Sequence, residues 1–183
     1  LSAGDLGSGD FFPKLYGTFD FGAPLPVNHA SLWLYNAVGV GGGDSANPLS
    51  NFYFGGFGNN YVDNGEVKRY REYGSFPGFK IDELAGRRFG KSLLELNLPP
   101  VRFAEVGSPS LFLSSMRPAL FGGVLALDPG TGGTRTLETV GGQLDFNFTV
   151  ALRLPMVLSF GAAAGFEDGR HKGNEAMVSL KIL

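Results

Sequence analysis

The stretch from Gln143 to Leu154, QLDFNFTVALRL, has the most regular pattern in the chain. Every second residue is apolar, and most of the residues between them are polar. Successive side chains of a strand point to opposite faces, so a period of two over this length predicts a β-strand with one apolar face. A helix would bring Asp145, Phe148 and Leu152 onto one stripe, which is not a sensible amphipathic face. The apolar set is Leu144, Phe146, Phe148, Val150, Leu152 and Leu154.

The neighbouring segments extend this pattern. After Pro155, large apolar residues such as Met156, Leu158 and Phe160 alternate with small ones such as Ser159. We expect Phe146, Phe148, Leu158 and Phe160 to share an outer face, and Asp145, Asn147 and Ser159 to share the other. Alternation elsewhere predicts an all-β chain of about eight antiparallel strands. They are expected near residues 11–25, 30–41, 50–61, 91–99, 109–126, 136–154, 155–167 and 174–183.

Composition narrows the class of protein. The 183 residues suffice for one domain with a sizeable core, and a net charge of −2 argues against a nucleic-acid partner. The absence of cysteine excludes disulfides, thiolate metal sites and cysteine nucleophiles. Charged residues make up 17%, well below the roughly 25% of a soluble domain. No apolar run approaches the roughly 18 residues that a membrane-spanning helix needs.

The lengths of the connections add a second clue. Short joins around Pro24 and Pro155 alternate with longer ones at residues 41–48, 128–135 and 167–174, and the longest is residues 62–88. Alternating strands of about ten residues with short turns at one end and long loops at the other predict a transmembrane β-barrel. The alternative is a soluble β-sandwich that acts as a binding module. Its outer face should be rich in Lys, Glu and Thr, whereas the second face here carries Gly, Ala, Ser and Asn, which favours a barrel lumen.

The segment Tyr70 to Leu98, YREYGSFPGFKIDELAGRRFGKSLLELNL, resembles the BamA-type bacterial surface antigen superfamily of outer-membrane assembly and translocation barrels. Phe76-Pro77-Gly78-Phe79 stands where the family has the Arg-Gly-aromatic tip of a loop that folds into the lumen. The resemblance implies that residues 1–183 are the C-terminal half of an outer-membrane barrel domain of about sixteen strands. It also implies that the loop at residues 62–88 is directed into the lumen.

The chain departs from the family where the tip arginine is replaced by Pro77, and it ends in Leu183 where such strands usually end in Phe or Trp. We expect another cation to make the lost salt bridge inside the barrel, and the tip to pack near its partner. The alternative is a charged loop that is solvated. The candidate cations are Lys68, Arg69, Arg71, Arg87 and Arg88, and the candidate partners are Glu95 and Asp145.

The functional expectation also follows from the resemblance. It implies insertion, assembly or translocation of proteins at the bacterial outer membrane, through a seam whose exposed strand edge templates an incoming strand. The seam strand would carry Ala176, Val178, Leu180 and Ile182. The implied partners are the lipid bilayer, lipopolysaccharide, an N-terminal half or another chain, and substrate outer-membrane proteins. A passive structural or pore-forming barrel is the alternative.

No enzymatic activity, cofactor or metal is expected. His29 and His171 are the only histidines, and neither has a suitably spaced serine or carboxylate for a triad or a metal site. The glycine-rich runs at residues 39–43 and 130–133 lack the Lys-Ser/Thr of a phosphate loop and are expected to be hairpin loops. The strand near Leu15 is expected to pair outside this chain, because closure by eight strands alone leaves no room for the loop.

Overall fold

The computed structural model describes residues 12–43, 48–58, 67–108 and 110–183. Within these residues the chain is all-β, and its helical segments are two short 3-10 turns, Pro48–Ser50 and Arg69–Arg71. No helix among them is long and apolar enough to cross a membrane. The strands are β1 (Lys14–Pro24), β2 (Ser31–Gly41), β3 (Phe52–Phe54), β4 (Leu84–Gly86), β5 (Arg88–Asn97), β6 (Val101–Ser108), β7 (Leu111–Leu127), β8 (Arg135–Val150), β9 (Leu154–Glu167) and β10 (Arg170–Ile182).

Eight strands form one large antiparallel sheet in the order β1-β2-β5-β7-β8-β9-β10, with β6 also paired to β7. β5 and β6 lie end to end along the long strand β7, because Asn97 is opposite Ala119 and Val101 is opposite Met116. β3 and β4 form a separate two-stranded sheet within the insertion between β2 and β5. In the described part of the chain, β1 and β10 are the two ends of the strand order and do not pair with each other, and β6 is paired on one side, with β7.

The two faces of this sheet differ sharply in chemistry. The inner face, which the insertion covers, holds buried polar side chains together with small residues such as Gly165. Phe146 is opposite Leu158, and Asp145 is opposite Ser159, so each face is continuous from strand to strand. The predicted division of β8 and β9 into an apolar and a polar face is the one observed. The strand expected at residues 136–154 is too long, because β8 ends at Val150, Ala151 and Leu152 have positive φ, and Leu154 begins β9. The outer face is apolar and exposed at Leu15, Phe21, Leu120, Val140, Leu144, Phe160, Val178, Leu180 and Ile182.

The strand expected at residues 50–61 is wrong in extent, because among its described residues, 50–58, the strand is Phe52–Phe54 and it lies outside the large sheet. Gly55, Gly56 and Gly58 have φ values of 146°, 70° and 122°, which end the extended conformation. The rest of the expected strand, residues 59–61, lies outside the described residues. β4 and β6 were not expected as separate strands.

The connections fall at two ends of the sheet. At one end lie the turns at residues 25–30 and 151–153, and at the other lie the described parts of the insertion (residues 42–43, 48–58 and 67–87) and the turns at 128–134 and 168–169. The long loop expected at residues 167–174 is wrong, because β9 and β10 are joined by Asp168-Gly169 alone. Both residues have positive φ, 51° and 73°, which matches the tight turn that the twist of a hairpin favours.

Candidate functional site

The insertion between β2 and β5 folds back over the inner face of the large sheet. Its aromatic side chains Tyr70, Phe76 and Phe79 are at most 5% exposed. The Tyr70 ring stacks on the Phe121 ring of β7, with 4.2 Å between their centroids. Burial raises the pKa of the Tyr70 hydroxyl, and the nearby Glu95 carboxylate adds to that shift. The described part of the loop at residues 62–88, from residue 67 onward, is therefore a packed layer on the sheet.

The first anchor of this layer is Glu95, an inward residue of β5 whose side chain is fully buried. Arg71 donates from Nε to Glu95 Oε2 at 2.8 Å and from Nη2 to Glu95 Oε1 at 2.7 Å. Lys68 Nζ lies 3.4 Å from Glu95 Oε1 and also binds Asn97. Burial lowers the pKa of Lys68, and the Glu95 carboxylate opposes that shift. A bidentate ion pair of this kind, with two N–H···O hydrogen bonds, fixes the orientation of the planar guanidinium.

The other candidate cations lie elsewhere. Arg69 is half-buried in the same 3-10 turn as Arg71. Arg87 and Arg88 lie at the start of β5, where their backbone N–H groups donate to Asp128 Oδ1 at 2.9 and 3.0 Å. They form no ion pair with Glu95. The structure thus brings Lys68 and Arg71, out of the five candidates, to this carboxylate.

The second candidate partner, Asp145, is held by neutral groups. It is 3% exposed, and its Oδ1 accepts hydrogen bonds from Gln143 Nε2 and Ser159 Oγ, both at 2.6 Å. The Gln143 amide also donates to the carbonyl of Val67 at 3.1 Å. Asp145 therefore supports the loop through Gln143 and not through an ion pair of its own.

A second anchor on β5 is Lys91, which is 6% exposed. Its Nζ donates to the carbonyls of Glu72 and Tyr73 at 2.8 and 3.2 Å, and also to that of Ser75. Lys91 and Glu95 are four residues apart in one strand, so they share a face. Lys91 was not predicted from the sequence, although its spacing of four residues from Glu95 in a predicted strand places the two charged side chains on the same face.

The tip residues Phe76, Pro77, Gly78 and Phe79 dock on β8, β9 and β10. Thr139 Oγ1 donates to the carbonyl of Pro77, and Gly78 N–H donates to Glu175 Oε2 at 3.0 Å. The expectation that the tip packs beside Glu95 and Asp145 is wrong. Thr139 and Asp145 are six residues apart on β8, which corresponds to about 20 Å along a strand.

Glycine is required at the tip. Gly78 has a φ of 96°, and a Cβ there would lie 2.4 Å from the backbone nitrogen of Gly165 on β9. A Cβ on Gly165 would in turn lie 2.6 Å from the Phe79 ring. The two backbones touch directly, and any side chain at either position would push the tip off the sheet.

The edge strand β10 is tied to the insertion by Glu175, another residue that the sequence analysis missed. Its two carboxylate oxygens accept from Phe57 N–H at 3.1 Å and from Gly78 N–H at 3.0 Å. The predicted seam residues alternate with Glu175 and point to the outer face. They are Ala176, Val178, Leu180 and Ile182, and Val178 is 69% exposed.

Below the packed loop, at the end of the sheet with the turns at residues 25–30 and 151–153, lies a cavity of about 840 Å³. We call it the basic chamber, because its lining includes five cationic side chains and one carboxylate. These charged residues are Lys68, Arg71, Arg102, Arg117, Lys181 and Asp145. The sequence analysis did not single out Arg102, Arg117 or Lys181, since they are far apart in the chain.

Comparison of the chain with protein-family models, with curated proteins and with solved structures finds no match. The resemblance of residues 70–98 to the surface-antigen superfamily therefore stays a hypothesis.

Proposed function

We propose that this chain is part of an outer-membrane β-barrel of the surface-antigen type, which takes part in inserting, assembling or translocating proteins at the bacterial outer membrane. The observation that carries the proposal is the polarity of the sheet, because its apolar face is exposed and its polar face is buried. Leu144, Phe160 and Leu180 are 40%, 42% and 58% exposed on the outer face, whereas Glu95 and Asp145 are buried on the inner face. In water the opposite arrangement is favoured, because large continuous apolar surfaces are unstable there.

The dimensions of the sheet fit this proposal. The strands β7, β8, β9 and β10 have 17, 16, 14 and 13 residues. A tilted strand needs about 9–11 residues to cross a bilayer, so each of these is long enough. The polar inner face with its packed loop corresponds to a lumen, and the apolar outer face would meet lipid.

The edges of the sheet suggest how such a protein would act. The N–H and C=O groups along the free side of β10 are available to pair with another strand. Within a bilayer these groups must be paired, since each unpaired group costs several kcal/mol there. We propose that β1 is completed by a missing N-terminal half or by another polypeptide, and that β10 presents its free edge to a substrate strand.

Membrane exposure is tested by placing arginine at two heights on the same face of β8. Leu144→Arg lies mid-strand and should destabilise the protein in phospholipid vesicles by about 2–4 kcal/mol, while Thr136→Arg near the strand end should cost about 0–1 kcal/mol. Urea unfolding, followed by heat-modifiable gel mobility, measures both. A sheet that faces water would tolerate arginine equally at both positions, so equal small effects would refute the proposal.

The assembly role needs its own experiment. A photoactivatable cross-linker replaces Val178 on β10 in cells, and a second replaces Leu144, which is outer-facing but lies on β8, four strands from β1 and two from β10. We expect cross-links to other outer-membrane proteins from position 178 and to lipid from position 144. Lipid adducts alone at both positions would leave a passive barrel as the better description.

A further inference from the structure

The basic chamber is lined by five cationic side chains and by one carboxylate side chain, that of Asp145. Arg71 and Lys68 share the single buried carboxylate of Glu95, while Asp145 is turned to the neutral donors Gln143 and Ser159. Arg102 and Arg117 form no ion pair with any described side chain. Arg117 is opposite Asp145 in the register of β7 and β8, and among the described residues that carboxylate is the one acidic side chain that lines the chamber. Within the described part of the chain, neither guanidinium group is neutralised by a close ion pair.

These two arginines lie on neighbouring strands and face the same cavity. Arg102 on β6 is opposite Ser115 of β7, and Arg117 is two residues further along β7 on the same face. In an antiparallel pair such diagonal neighbours are about 7–8 Å apart, within reach of a common ligand for side chains as long as arginine. Asn147 completes the polar wall, with its Nδ2 donating to Ser115 Oγ at 3.2 Å.

Lys181 adds a cation from the edge of the sheet. It lies on the inner face of β10, opposite Val157, and lines the same cavity. The chamber is thus surrounded by cations contributed by β6, β7, β10 and the loop. Its volume of about 840 Å³ is in the range of small-molecule sites.

We infer that the basic chamber binds a phosphate-bearing ligand, with Arg102 and Arg117 as its principal contacts. The planar fork of arginine matches a tetrahedral phosphate with paired, charge-assisted hydrogen bonds. Lys68 and Lys181 supply further positive charge at the cavity wall. This inference does not rest on the proposed function, because it concerns the chamber alone and its test needs no membrane transport.

The test is calorimetric titration of the full chain in detergent micelles with inorganic phosphate, at constant ionic strength kept with chloride. The variant R102Q/R117Q should bind phosphate about tenfold more weakly or worse. The matched control is R88Q/R170Q, which removes the same charge from exposed arginines at the other end of the sheet. Unchanged heat-modifiable mobility of both variants shows that folding is intact.

Three outcomes decide the matter. Selective loss in R102Q/R117Q supports the chamber, while absence of binding by the wild type, or equal loss in both variants, overturns it. Competition by phosphatidylcholine vesicles that contain phosphatidic acid, but not by phosphatidylcholine alone, would assign the site to a lipid headgroup. Phosphate binding without such competition would assign it to a soluble phosphorylated compound.

Discussion

Replacing Glu95 by alanine should release the loop at one of its two anchors on β5. The Glu95 side chain is fully buried, and it accepts two hydrogen bonds from Arg71 at 2.7 and 2.8 Å, with Lys68 at 3.4 Å. Breaking a buried ion pair from one side costs about 3–5 kcal/mol, because the remaining charges stay desolvated. Arg71 and Lys68 are 21% and 12% exposed at the wall of the basic chamber, so water can reach them in part. We therefore expect about 3 kcal/mol for Glu95→Ala, at the lower end of that range.

The chain contains a matched control for this change. Glu167 also pairs with one arginine and one lysine, Arg135 at 2.8 Å and Lys172 at 2.9 Å. Those two cations are 45% and 51% exposed at the rim of the sheet, where an ion pair contributes about 0.2–1 kcal/mol. Glu167→Ala should therefore cost about 1 kcal/mol or less.

The assay is urea unfolding in detergent micelles, followed by the fluorescence of the single tryptophan, Trp33, on β2. The difference between the two variants mainly reports the effect of burial, since the residue type and the two cationic partners, one arginine and one lysine, are the same. If Glu95→Ala and Glu167→Ala cost the same within about 0.5 kcal/mol, the buried pair does not anchor the loop and the reasoning fails.

Three further substitutions probe the other contacts of the loop. Gly78→Ala should lower the free energy of unfolding in urea by about 2–4 kcal/mol, because the new Cβ would collide with the backbone of β9. Gly130→Ala, also at positive φ but in open space, should lower it by about 1–2 kcal/mol. Similar losses for the two variants would contradict the close contact. Lys91→Met should speed trypsin cleavage after Arg69 and Arg71, while the circular dichroism of the sheet stays unchanged. An unchanged rate of cleavage would show that the hydrogen bonds from Lys91 to three loop carbonyls do not hold the loop. Glu175→Ala should speed amide hydrogen exchange in β10 and leave exchange in β5 unchanged, because it removes the two hydrogen bonds between the edge strand and the insertion. Equal exchange in the variant and the wild type would show that these hydrogen bonds do not hold β10.

Local pattern was sufficient for the two faces of β8 and β9, although not for every strand boundary. The period of two in β8 and β9 depends only on where successive side chains point, so the sequence alone predicts that Phe146 and Asp145 lie on opposite faces. It also predicts that the loop carries cations for a carboxylate on the inner face. The apolar face of each strand can likewise be predicted from the sequence, because the alternation of residues within that one strand defines it.

Contacts between distant residues could not be read this way. Five cations were equivalent candidates for Glu95, and the tertiary structure places Arg71 and Lys68 there while Arg87 and Arg88 start β5 at the rim. The tip is held on β8–β10, far from Asp145, because backbone contact of Gly78 with Gly165 requires two glycines that are remote in sequence.

The same limit explains the chamber and the strand at residues 50–61. Arg102, Arg117 and Lys181 become one wall only when β6, β7 and β10 are assembled. Gly55, Gly56 and Gly58 could have continued an extended strand, and the packing of the insertion selects positive φ for them instead. The alternation of side chains is a local consequence of backbone geometry. The path of a long insertion instead depends on many weak contacts between residues far apart in the chain, and these contacts form only in the folded structure.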